Sequence, residues 1–259
     1  MAITPNSNPA SEKLLIESAV ELLGNAKHAV AFTGAGISTP SGIPDFRSQN
    51  SGLWEKNDPL IVASLNTFNN DPKIFFDWIR PLAISSANAK PNLAHLSLAK
   101  LEHFGIIKSV ITQNIDGLHQ KAGSINVLEL HGSAQKATCP SCGKVYSHDY
   151  FQIWIKKGDE YLMCEDCNQI IKPDVVLFGE SLPQDIWEKA FQECFLADLI
   201  LIIGSSLEVS PANSLPELAI NNGAKLIINN LGNTFLDKQA DVLLKLDVEL
   251  GIGSLSNYF

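Results

Sequence analysis

His28-Ala-Val-Ala-Phe32 followed at once by Thr33-Gly34-Ala35-Gly36-Ile37-Ser38-Thr39-Pro40-Ser41-Gly42 decides how the chain is read. The first five residues are an apolar run of strand length. The glycines behind it let the backbone turn tightly and approach a phosphate, which a following helix N-terminus can bind. G-x-G alone is a weak sign. The third glycine of a dinucleotide fingerprint is displaced, and no acidic residue closes a second strand about 20 residues on. A plain tight turn fits the stretch as well until its neighbours are read. Ile43-Pro-Asp-Phe46-Arg47 follows, placing a ring, a carboxylate and a guanidinium in one short segment. Arg suits phosphate or carboxylate, and Phe can cover an aromatic or cationic ring.

Further apolar runs repeat the first: 109–112, 126–130, 175–178, 199–203, 225–228 and 242–246. Most show no alternation, which suits strands buried on both faces of a parallel sheet. Helical patterns over 11–23, 94–104, 184–195 and 211–221 lie between several of them. Strand and helix in turn predict an open α/β sheet of Rossmann-like type. Two stretches interrupt it. Residues 42–90 are rich in Asn, Pro and Phe and promise only fragments of helix. Residues 137–168 carry paired cysteines and no long apolar run. The expected organisation is therefore a discontinuous large domain (11–41, 91–136 and 169–250), a smaller domain made by insertions 42–90 and 137–168, and a loose tail over 1–10.

Composition narrows the functional classes. Lys plus Arg number 19 and Asp plus Glu 28, for a net charge of −9. A non-specific nucleic-acid binder or an anionic-membrane binder should be basic, so neither nucleic acid nor membrane is an expected partner. Apolar residues at 45% exclude a disordered chain. No uncharged apolar run has the length of a membrane helix. No signal peptide is visible, so the cytoplasm is the expected location.

Polar residues gather just past the apolar runs, where open α/β sheets bind ligands. Thr112-Gln113-Asn114-Ile115-Asp116-Gly-Leu-His119 is one such cluster, and a helix N-cap would explain one of its polar side chains but not the group. Leu130-His131-Gly-Ser133 is another. A lone histidine there is more often structural, but among other polar strand ends it suits a general base. Gly204-Ser205-Ser206 ends a strand in small residues, leaving room for backbone contact with a ligand. Cys139-Pro-Ser-Cys142 and Cys164-Glu-Asp-Cys167 form two C-x-x-C pairs, the strongest sign readable without context. Each can hold one side of a tetrahedral Zn²⁺, and four cysteines leave no open position, so the metal is expected to be structural. Two redox dithiols are the competing reading. Cys194 in an apolar helix pattern reads as core.

Taken together, residues 34–48, 112–119, 130–133, the two C-x-x-C pairs, 172–180 and 204–211 resemble the sirtuin family of NAD-dependent protein deacylases, in order and spacing. The resemblance implies NAD as co-substrate, structural Zn²⁺, and an acyl-lysine protein or peptide bound between the two domains. Ala35, Gly36 and Thr39 would line the phosphates and ribose, and Phe46 and Arg47 the cofactor loop. Gln113, Asn114, Ile115 and Asp116 would surround the nicotinamide ribose. Gly204, Ser205, Ser206, Asn230 and Asp247 would hold the adenosine half. Val176, Phe178 and Gly179 would pair with the peptide backbone as an added strand.

His131 would be the general base. The acyl oxygen would attack C1′ of the nicotinamide ribose and nicotinamide would leave. His131 would then take a proton from a ribose hydroxyl that attacks the acyl carbon, ending in free lysine and O-acetyl-ADP-ribose. Members that remove acidic acyl groups show Tyr-x-x-Arg where this chain has Asp77-Trp-Ile-Arg80, so acetyl or another uncharged acyl group is expected. A Rossmann oxidoreductase with a zinc ribbon would instead yield reduced cofactor, and a zinc-knuckle binding module would turn over no NAD. Mono-ADP-ribosyl transfer on the same scaffold is a third reading, and His131 with an intact substrate segment speaks against it as the main activity.

Overall fold

The computed structural model describes residues 9–46, 52–53 and 57–259. Arg47 and residues 1–8 of the expected tail lie outside them, and Pro9 and Ala10 already belong to the first helix, α1 (Pro9–Asn25).

Six strands form one parallel sheet: β1 (Ala29–Thr33), β2 (Ile107–Thr112), β3 (Val127–Glu129), β7 (Leu199–Ile203), β8 (Lys225–Asn229) and β9 (Val242–Leu244). Their order is β3-β2-β1-β7-β8-β9, and every pairing is parallel. Counted within this sheet alone, that is the dinucleotide-fold order 3-2-1-4-5-6, with its reversal between β1 and β7. Every residue of β1 and β7 is buried, as their unbroken apolar runs require. Their side chains divide by parity. Leu199, Leu201 and Ile203 pack with Leu23 of α1, Leu98 of α5 (Leu93–His103) and Ile252 of α10 (Val248–Ser256). Ile200 and Ile202 face Cys194 of α8 (Gln184–Leu196) and Leu215 of α9 (Ser214–Asn221). Each such fully buried aliphatic side chain contributes roughly 1.5–3 kcal/mol. Cys194 is core, as read. No helix among the described residues is long and apolar enough to cross a membrane.

The run 175–178 is not a strand of this sheet. Pairing there begins earlier, in β6 (Lys172–Val175), which joins β4 (Gly132–Thr138) and β5 (Val145–Ser147) in a separate antiparallel sheet ordered β5-β4-β6. Beyond Val175 each backbone donor finds a different partner: Val176 reaches His131 O, Leu177 the Glu180 carboxylate and Phe178 Ala63 O. No ladder can form on such scattered partners. The second sheet thus extends past the 137–168 insertion on both sides.

Residues 42–90 hold more than helix fragments. After α2 (Pro59–Val62) and α3 (Leu65–Asn70) comes the long α4 (Pro72–Asn88), with Pro72 at its first position, where its missing N–H costs nothing. Phe75 and Phe76 of α4 pack edge-to-face at 5.3 Å, and Phe76 meets Trp154 of α7 (His148–Lys157) at 5.5 Å. Phe68, Tyr146 and Ile171 complete this core, so the helical insertion and the cysteine-bearing segment bury one another.

Candidate active site

The site is built where the strand order reverses. Past β1 the chain turns into a 3₁₀ segment, Ala35–Ser41, rather than a long α-helix. It does so against the end of β7: Gly36 N donates to Gly204 O at 2.8 Å. Gly204 has φ +58, and a Cβ there would stand 2.3 Å from Ile37 N. Two backbones therefore touch at the switch point, which only glycine permits. Beside them opens a cavity of about 1090 Å³, lined from β1, β2, β3 and β7 ends, from α4 and α7, and from residues 173–182.

Most sequence-assigned residues meet in this cavity. Ala35, Gly36, Phe46, Gln113, Asn114, Ile115, Asp116, His131, Val176, Phe178, Gly179, Gly204, Ser205, Ser206 and Asn230 all line it. Thr39 and Asp247 do not. Thr39 is exposed on the outer side of the 3₁₀ segment, its hydroxyl folded back onto Gly36 O at 3.0 Å. Asp247 caps α10, accepting from Glu249 N at 2.9 Å. Both side chains turn back onto nearby backbone, Thr39 within the 3₁₀ segment and Asp247 at the first turn of α10.

Hydrogen bonds across strand ends hold the polar groups. Gln113 Nε2 donates to Ser205 Oγ at 2.9 Å, and Asn114 Nδ2 to Gly34 O at 3.0 Å. Ser38 Oγ donates to Asp116 Oδ2 at 2.7 Å, while Leu118 N donates to Asp116 Oδ1. His131 Nδ1 lies 2.9 Å from Gln113 O. A carbonyl only accepts, so the proton is on Nδ1 and Nε2 keeps its lone pair. Burial lowers the His131 pKa below its usual 6.5, opposed by that hydrogen bond, so the ring is neutral at pH 7.

Behind the cavity lie residues the sequence reading did not assign to the site. His95 and His119 pack edge-to-face at 4.9 Å, both buried. His119 Nε2 meets Thr33 Oγ1 at 3.0 Å; Thr33 donates to Thr112 Oγ1, which also accepts from Asn114 N. His95 Nε2 meets Ser38 Oγ at 3.5 Å. Burial drives the His95 pKa to about 4 and that of His119 to about 3. The polar run around Asp116 already pointed to His119. His95 had no signal, sitting in an ordinary helix pattern.

The four paired cysteines form one cluster with all Sγ atoms within 4.8 Å of one another. A tetrahedron of Zn–S bonds has edges of about 3.8 Å, so the donor set fits Zn²⁺. The two knuckles are the same turn. Gly143 (φ +75) and Asn168 (φ +55) follow the second cysteines in left-handed conformation, and their N–H groups return to Cys139 O and Cys164 O. Tyr146 Oη donates to Cys164 Sγ at 3.2 Å, lowering that thiol to about 6 and favouring the thiolate a metal needs.

A model of the Sir2 family matches residues 34–211. An NAD-dependent protein deacetylase of Oceanobacillus iheyensis is 44% identical, over 91% of this chain and 97% of its own. A solved Sir2–p53 peptide–NAD⁺ complex is similar with TM-score 0.84 at 40% identity, covering 94% of this chain and 98% of that one. A Sir2 histidine-to-alanine variant with deacetylated p53 peptide and 3′-O-acetyl-ADP-ribose has TM-score 0.88 at 39% identity, over 94% and 98%. A family match over more than half of the chain, on this sheet order and this cavity, means that the chain belongs to the Sir2 family.

Proposed function

We propose that the protein is an NAD-dependent protein lysine deacetylase, releasing nicotinamide, the free lysine and O-acetyl-ADP-ribose. The observation that carries this is His131 in the switch-point cavity, neutral and with Nε2 left as its basic nitrogen by the Gln113 carbonyl. NAD supplies the ribose carbon that takes up the acyl oxygen as nicotinamide departs. The protein's part is to bind, orient and move one proton. The touching backbones of Gly36 and Gly204, with Ala35, line the phosphate side, Ser205, Ser206 and Asn230 serve the adenosine half, and Phe46 covers the cofactor. Asn114 and Asp116, held rigid by Ser38, face the nicotinamide ribose. His131 Nε2 accepts the proton of the attacking ribose hydroxyl. Val176, Phe178 and Gly179 guide the peptide.

The large domain would carry NAD and the two insertions the zinc ribbon, with Cys139, Cys142, Cys164 and Cys167 holding a structural ion. Other uncharged acyl groups are secondary substrates in this reading. The cluster of free cysteines, a donor set that persists in a reducing compartment, supports a cytoplasmic site of action. Mass spectrometry of acetyl-, propionyl- and succinyl-lysine peptides incubated with NAD tests the proposal: acetyl-ADP-ribose and free nicotinamide are expected, and reduced cofactor or no turnover would refute it.

A further inference from the structure

His131 stands on the shortest link between the two sheets. Glu129 ends β3 and Gly132 begins β4, so only Leu130 and His131 separate the parallel sheet from the antiparallel one. Each end of the link is anchored by backbone. Leu130, fully buried, donates its N–H to Thr112 O at 2.9 Å. Gly132 takes φ +72, and a Cβ there would come within 2.1 Å of Asp174 O. The His131 carbonyl accepts from Val176 N at 2.8 Å.

One side-chain pair closes across the link. Ser133 Oγ donates to Glu129 Oε1 at 3.0 Å, from the second residue of β4 to the last residue of β3. The Glu129 carboxylate also takes the Gln120 side chain of α6 (Leu118–Ala122). Neither sheet needs this pair for its ladder: β3 pairs with β2, and β4 with β5 and β6, through backbone. Its geometric effect falls on the three residues it spans, Leu130, His131 and Gly132.

We infer that Glu129 and Ser133 form a clasp that positions His131, holding the link so that the ring keeps its hydrogen bond to Gln113. The inference rests on His131 being the base. Ser133 is the donor, so its partner must accept: Gln can replace Glu129, and Ala cannot.

The test uses the zinc-loaded full chain in six variants: Ser133→Ala, Ser133→Thr, Glu129→Ala, Glu129→Gln, the double alanine variant and His131→Ala. Two rates are read with acetyl peptide and NAD: formation of acetyl-ADP-ribose, and exchange of labelled nicotinamide into NAD. Exchange reports the step before His131 acts. A misplaced base should lower product kcat about 10- to 100-fold. KM for peptide and NAD and the exchange rate should stay at the wild-type level. Ser133→Thr and Glu129→Gln should restore most of the loss, and the double variant should be no worse than the worse single one, because the pair is one interaction. Wild-type kcat in both alanine variants, with His131→Ala inactive in product formation, overturns the clasp alone. So does a parallel fall of product and exchange, the mark of a merely structural pair. Product formation retained in His131→Ala overturns the base assignment and the clasp with it.

Discussion

His131 Nδ1 and the Gln113 carbonyl oxygen lie 2.9 Å apart, and this contact joins the β3–β4 link to the end of β2. It sets the tautomer and aims the ring from outside its own strand. His131→Ala should therefore leave the fold intact and cut deacylation at least ~10²-fold, the lower range for general acid–base catalysis. Because burial holds its pKa below 6.5, the acidic limb of kcat should fall below that pH in the wild type. Near-normal turnover in a well-folded alanine variant, or an acidic limb well above pH 6.5, would argue against the role.

Zinc removal should act through folding. The four cysteines bridge the two turns 139–143 and 164–168, and the Phe76–Trp154 core packs against the same module. Strong chelation should collapse that module and abolish activity, because the free energy of a closed four-thiolate site is folding free energy. One zinc per chain by elemental analysis and loss of Trp fluorescence structure on chelation are expected. Active protein free of metal would contradict it.

The parts legible in the sequence were those with one physical cause. β1 and β7 are buried on both faces, so an unbroken apolar run was enough to find them. The zinc site follows from spacing alone. α4 stayed hidden because Pro81 lies inside it and its apolar positions spread over a wide face, shared between α7 and the cavity. His95 entered the site only through tertiary packing of α5 onto the 3₁₀ segment. Where the short side chains of Thr39 and Asp247 point is set by local hydrogen bonds to backbone, which residue type alone does not reveal.

Acyl selectivity should exclude acids, for a reason different from the sequence argument. That argument rests on Asp77 standing where acid-selective members have Tyr, and Asp77 pairs with Lys73 at 2.7 Å. Arg80 instead lies 4.1 Å over the Trp154 ring and donates to the Asp159 carbonyl. Neither lines the cavity, and its described lining includes no Lys or Arg. A succinyl carboxylate entering there would be desolvated without a cation. Acetyl-lysine should be preferred by about 1–3 kcal/mol, or roughly 5- to 150-fold in kcat/KM. Equal or better turnover of the succinyl peptide, at equal sequence and saturating NAD, would show that a cation does reach the acyl group.

Acid should unfold the protein partly through two histidines that never touch solvent. His95 and His119 are fully buried and held neutral, with pKa values of about 4 and 3 against 6.5 in the unfolded chain. Above pH 6.5 both states are neutral there and stability does not depend on them. Below it the unfolded chain binds protons the folded one refuses, so stability falls with pH until the folded pKa values are reached. Each such proton adds about 1.4 kcal/mol per pH unit to the slope. Urea unfolding at stepped pH values between 6.5 and 4.5 should show a smaller slope in His119→Gln than in the wild type, whatever the variant's absolute stability. The comparison cancels the acid sensitivity of the zinc site, which both proteins share. An unchanged slope would mean that His119 is protonated inside the fold, and that its contact with Thr33 is made by an imidazolium.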